Sequence, residues 1–344
     1  MHRMFNNITI TLFEGYKMYT DDDLNAAVKL GIFSQDAVTK FRNNLEQTSD
    51  THSVDEENFR LIGGFNDIFI VIACALFLFS SVAALRIVSD MIAAIAFPVL
   101  AWGLAEFFVR KRKMALPAIA LLLSFVGGVF AAAMYLTDSS SQISTALAAI
   151  AAYLHYRRFR VPITIAAGTA AVAGFLISSL LSLFPALIEH MMYIIFISGV
   201  ALFIFAMYWD ASDRSRETRH TDIAFWLHLL SAPLIVHPVF ISLGIFEGVD
   251  STSNMIIVVI LYILMSAISI TIDRRAFMVS SLIYVLYAIS NLLDAYGVIG
   301  NSFALTGIAI GASILLLSAF WHPLRNKLVK HLPVKIQNIV PDIN

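Results

Sequence analysis

A single cysteine, Cys74, stands in 344 residues, which excludes internal disulfides, a CxxC redox pair and a thiolate metal site. Charge is also scarce. Only 14% of the residues are Asp, Glu, Lys or Arg, against roughly a quarter in ordinary soluble domains, and the net charge is -1. With its basic residues in short scattered clusters, the chain has no broad cationic face to hold nucleic acid by its phosphates. There is no HExxH, no GxSxG, no Walker loop and no Gly-rich dinucleotide turn, so no recognised enzyme, cofactor or metal pattern is present. The first 64 residues lack the basic start, short apolar run and small-residue site of a cleavable signal peptide.

What is abundant is apolar surface: 59% of the residues, gathered in blocks close to the roughly 20 residues that cross about 30 Å of hydrocarbon. The composition predicts an all-α polytopic transmembrane bundle of about ten helices, with the bilayer as its principal partner. The spans fall at 66–87, 91–109, 115–136, 141–156, 161–183, 188–208, 222–246, 255–272, 276–296 and 302–320. The fourth is the shortest. Together they make a membrane body at 65–321, followed by a cytoplasmic tail at 322–344 with three prolines and several basic residues.

Ahead of the bundle lies an acidic segment too poor in apolar residues for a core of its own. Residues 18–50 carry a helical-hairpin pattern. Thr20 and Asp23 resemble a capping box, Leu24, Ala27 and Val28 form a stripe, Gly31 suits a C-terminal cap, and Ser34 can cap a second helix striped by Val38, Phe41 and Leu45. Residues 51–64 read as a linker. Residues 1–17 fit neither helix, and Met18 just precedes the pattern, which suggests a start at that residue.

Orientation follows from the cations, which favour the cytoplasmic side of short loops. If every span crosses, all but one of the 23 Lys and Arg residues fall on the side of both termini, and only Arg86 falls on the other. Both ends are therefore expected in the cytoplasm. Small residues repeating every four positions, Ala166, Ala170 and Gly174 or Gly307 and Gly311, read as helix packing.

Ionisable residues inside a bilayer cost about 2.5–3.5 kcal/mol each on insertion scales and invite a functional reading. Glu106, about 9 Å from its helix centre by the 1.5 Å rise, has Arg110 one turn away as an interfacial partner. Glu189 and His190 mark the start of the sixth span. The seventh span holds His228, Pro233, His237 and Pro238. Each proline leaves the carbonyl four residues back, at Leu229 and Leu234, without its helical donor, so the spacing predicts a kinked or broken helix of the kind transporters place beside cavities. His237 is the deepest ionisable group, open to a packing, relay or ligand role. His228 falls on the opposite face. In the ninth span Ser280, Tyr284, Tyr287, Asn291 and Asp294 line one face, a polar stripe that must turn toward the bundle interior. His237, Tyr284, Tyr287, Asn291, Asp294 and His228 are the candidate intramembrane polar pathway.

The run TDIAFWLHLLSAPLIVHPVF at 221–240, with the hairpin ahead of many spans, resembles an uncharacterised family of bacterial inner-membrane proteins. That resemblance implies an all-helical architecture in a bacterial cytoplasmic membrane and assigns no activity. Three functions stay open: a carrier for a small solute, a membrane-embedded enzyme pairing His237 with Asp294 or Asp222 on a lipid-linked substrate, and a scaffold or sensor whose hairpin binds a partner protein.

Overall fold

The structure, a computed structural model, describes residues 27–40, 65–216, 218–244, 252–295, 302–337 and 339–342. The chain divides into two compact units, Met1–Asn58 and Phe59–Asn344. Of the first unit, the described stretch bears out its caps: Gly31 takes φ +71°, and the Ala37 amide donates to Ser34 Oγ at 3.1 Å. The start at Met18, the outer parts of the hairpin and the 51–64 linker lie outside the described residues.

The second unit consists of helices joined by short turns, with no strand among its described residues. Ten long helices follow one another: α1 Phe65–Arg86, α2 Asp90–Ala105, α3 Ala115–Leu136, α4 Ser141–Phe159, α5 Ile163–Leu183, α6 Met191–Ala211, α7 Arg219–Ile241, α8 Thr252–Ile272, α9 Ala276–Ala295 and α10 Ser302–Ala319. Two short ones close the chain, α11 Trp321–Lys330 and α12 Val334–Gln337. Eight are long and apolar enough to cross a membrane, and α10 with α11, joined at a 71° bend, makes a ninth if the pair counts as one span. Large apolar side chains such as Phe79, Leu176, Ile204, Ile263 and Leu315 stand exposed around the body. Water would not tolerate so continuous an apolar surface, whereas hydrocarbon requires one. The chain is a multi-pass membrane protein.

The helix absent from that set, α4, is diluted by Ser, Thr, Gln and its terminal arginines. Position shows its course more directly than composition. Gln142 Nε2 donates to Ser178 O at 3.4 Å near one end of α5, and His155 meets Thr164 at the other, also at 3.4 Å. Nineteen residues at 1.5 Å each extend about 28 Å, so α4 runs the length of the bundle between α3 and α5.

The centre is α7, which packs on α5, α6 and α9. In its apolar window 56% of the residues are buried, against 11% in α1 at the periphery. Of the kink or break expected at Pro233 and Pro238, the break does not occur: both lie within one continuous 23-residue helix. Its neighbour supplies the support. A Cβ on Gly199 of α6 would lie 2.8 Å from the carbonyl carbon of Leu234, the residue whose acceptor Pro238 leaves free. The glycine lets one backbone close over the weakened turn of the other. Gly199→Val is therefore expected to lower stability by about 1–3 kcal/mol, because the neighbouring atoms include backbone and cannot swing aside. Equilibrium unfolding in mixed micelles will measure it, and an unchanged midpoint would show that the approach is looser.

Candidate functional site

Ion pairs draw the cation-bearing turns to one end of the bundle. Glu106, in the π-helical turn Glu106–Lys111 that ends α2, receives Arg158 of α4 at 2.7 and 3.1 Å and the expected Arg110 at 3.3 Å. The end of α6, the first turn of α7, the α8–α9 turn and α11 meet in a second cluster.

There the chain buries charge. Asp210 ends α6 with no exposure, and its Oδ1 lies 2.6 Å from Arg274 Nη2 at the start of α9. Its Oδ2 accepts from His228 Nε2 of α7 at 2.8 Å and from Arg274 Nε at 3.4 Å. His228 is likewise fully buried and Arg274 is 2% exposed. Since a carboxylate can only accept here, Nε2 carries the imidazole proton, and in the neutral ring Nδ1 is left as an acceptor. That nitrogen is buried without a partner.

A second layer seals the first. Asp273, held at φ 58°, pairs with Arg216 at 2.8 Å and accepts Trp321 Nε1 at 2.7 Å, while Arg325 Nε stands 3.7 Å away. Arg216, also left-handed at φ 59°, donates to the Asp273 carbonyl as well at 3.1 Å. Burial, with the Arg274 charge second, brings its guanidinium below the ordinary value, against the opposing pull of Asp273 and Asp210. Asp213 gathers the donors of the turn, Thr218 N at 2.9 Å and the hydroxyls of Thr218 and Thr221 at 2.7 and 2.8 Å, and so fixes the start of α7. Arg325 also donates to the carbonyls of Pro341 at 2.6 Å and Asp342 at 3.0 Å, and Arg214 pairs with the Asp342 side chain at 2.6 Å. Three carboxylates, Asp210, Asp213 and Asp273, thus share this end with three buried guanidiniums, Arg216, Arg274 and Arg325.

The described residues of the expected pathway fall in three places along α7 and α9. His228 belongs to the charge cluster. His237, about 14 Å further along α7 by the helical rise, joins Tyr284 of α9 through an Nδ1–hydroxyl hydrogen bond. Tyr284 stacks on Phe240 at 4.7 Å, and Tyr287 packs on the same apolar cluster. His237 itself is exposed on the bundle surface. Asn291 lies on α9 with its Nδ2 buried and unpartnered, as is the Thr306 hydroxyl on neighbouring α10. The Asp294 side chain lies outside the described residues. Among the described residues no three His, Cys, Asp or Glu side chains converge as metal ligands would.

Counting cations by side treats them as solvated, so Asp210, Arg216, Asp273, Arg274, Arg325 and Trp321 carried no expectation. The available signal was the carboxylates set among them: Asp210 and Asp213 just past an apolar run, and Asp273 directly before two arginines. His155 was missed as well; it is fully buried among Trp102, Phe125 and Phe159, with its Nε2 unpartnered.

No family model, no curated protein and no solved structure matches this chain.

Proposed function

We propose that this protein carries a small polar solute across a bacterial inner membrane, with its cation-rich end in the cytoplasm and its pathway in the half built by α6–α10. The observation that supports this most is the pair Asn291 and Thr306. Both polar groups are buried without a partner. In antiparallel α9 and α10, each lies one turn from the linking loop, Asn291 four residues before Ala295 and Thr306 four after Ser302, so they share one depth. An unmet amide or hydroxyl surrounded by hydrocarbon costs several kcal/mol, which a passing solute or its water would offset. Tyr284, buried on the same face of α9 two turns from Asn291, extends the polar column inward.

The acid–base enzyme reading requires a carboxylate and an imidazole in contact, and Asp210 with His228 meets that condition. That pair is sealed from solvent and tied to Arg274, which leaves no approach for a substrate. Transport is tested in proteoliposomes by stopped-flow light scattering with urea, glycerol and glycine as solutes. At least one should enter faster than into protein-free vesicles, and Asn291→Leu should slow that entry at least tenfold while leaving stability unchanged within about 1 kcal/mol or raised, since it removes an unpaired polar group. No acceleration for any solute, or a variant as fast as the wild type, overturns the proposal.

A further inference from the structure

Beside the charge cluster, the end of α4, the end of α6 and the first turn of α7 border an open cavity of about 260 Å³ lined by Tyr156, Arg160, Trp209, Arg219 and His220, with apolar Pro162 and Ile223 completing the lining. Two guanidiniums line it and no carboxylate does. Elsewhere at this end Arg158, Arg214, Arg216 and Arg274 are each met by a carboxylate. Arg160 and Arg219 have none within ion-pair distance among the described residues.

The walls are fixed. Arg160 ends α4 in the left-handed region at φ 57°, with its guanidinium 5.5 Å from the centre of its own Tyr156 ring. The His220 ring stands edge-on to the Trp209 indole at 4.9 Å, and its Nδ1 is 3.2 Å from Ser212 Oγ. Arg219 and His220 open α7, where Thr218 Oγ1 caps the His220 amide at 3.2 Å. The positive end of the longest helix among the ten therefore adds to the guanidiniums.

We infer that this cavity binds a phosphate group, whether the head of an anionic phospholipid or a free phosphate. Paired guanidiniums match phosphate oxygens with forked donors, and Tyr156 and Trp209 place the cavity where aromatic side chains meet lipid heads. The inference does not depend on what the protein transports.

The full-length protein in phosphatidylcholine nanodiscs provides the test. One arm titrates inorganic phosphate and follows the unfolding midpoint; the other counts retained phosphatidylglycerol by native mass spectrometry. Saturable binding of phosphate identifies the free anion as the ligand, and retention of phosphatidylglycerol alone identifies the lipid head. In either arm the double variant Arg160→Gln, Arg219→Gln should weaken binding at least tenfold, with Arg219→Gln alone intermediate. Arg157→Gln, an exposed arginine outside the cavity, should leave it unchanged. Binding in neither arm, or an equal loss in Arg157→Gln, overturns the assignment.

Discussion

Arg274→Gln is expected to destabilise the protein by about 3–5 kcal/mol, the cost of leaving one member of a buried ion pair without the other. Asp210 and Arg274 are both essentially inaccessible, and the 2.6 Å contact is the shortest that the carboxylate makes. His228 is no substitute, since a neutral imidazole donates one hydrogen bond and no charge. Glutamine could keep one amide contact while Asp210 lost the only cation in contact with it among the described residues. Removing both charges should be far milder: Asp210→Leu with Arg274→Met should recover at least half of the loss, because an apolar pair of similar volume avoids desolvating either ion. Equilibrium unfolding by detergent, followed by tryptophan emission, measures all three forms. A loss below about 1 kcal/mol for Arg274→Gln would mean that water reaches the carboxylate and that the cluster is not dry.

Trp321→Ala should rank beside it, at about 3–5 kcal/mol for truncating a buried tryptophan. The indole is 1% exposed, donates to Asp273 at 2.7 Å, and carries Arg275 5.1 Å above its ring. Its loss removes packing and a charge-assisted bond in one step. Trp321→Phe separates the two, and should cost only the hydrogen-bond share, about 1–3 kcal/mol for a charged acceptor. The local sign is distinct as well. Trypsin should cut at the exposed Lys327 and Lys330 at least tenfold faster in Trp321→Ala, with cleavage within α1–α10 unchanged. Equal rates would show that Arg325 and Arg214 hold the closing segment without the indole.

Much of the fold could be read from residue order because lipid imposes a simple rule on helices. A crossing segment must be long, apolar and self-satisfied, and each property is local. The same holds for Ser34 and Gly31, whose caps act over three or four residues. Helix α4 obscured this rule, since its Ser, Thr and Gln positions are acceptable only where α3 and α5 cover them. Pro238 obscured it too: the helix continues because Gly199, on another element, admits a backbone beside the freed carbonyl.

The candidate site was legible only in outline. The stripe through Tyr284, Tyr287 and Asn291 was visible as spacing, and one partner, His237, was among the residues named. What spacing could not give was the pairing across helices. His228 finds Asp210 eighteen residues back, and Arg274 reaches it across sixty-four. A rule that sorts cations by membrane side also conceals the ones that are not solvated: Arg216, Arg274 and Arg325 each meet an aspartate in the interior.

The 48-residue separation between Asp273 and Trp321 has a consequence for biogenesis. At about 5–20 residues per second, a ribosome adds Asp273 roughly 2–10 s before it supplies the indole. Throughout that wait the aspartate can rely on Arg216 alone, so the nascent bundle remains unlatched until its closing helix has been synthesised.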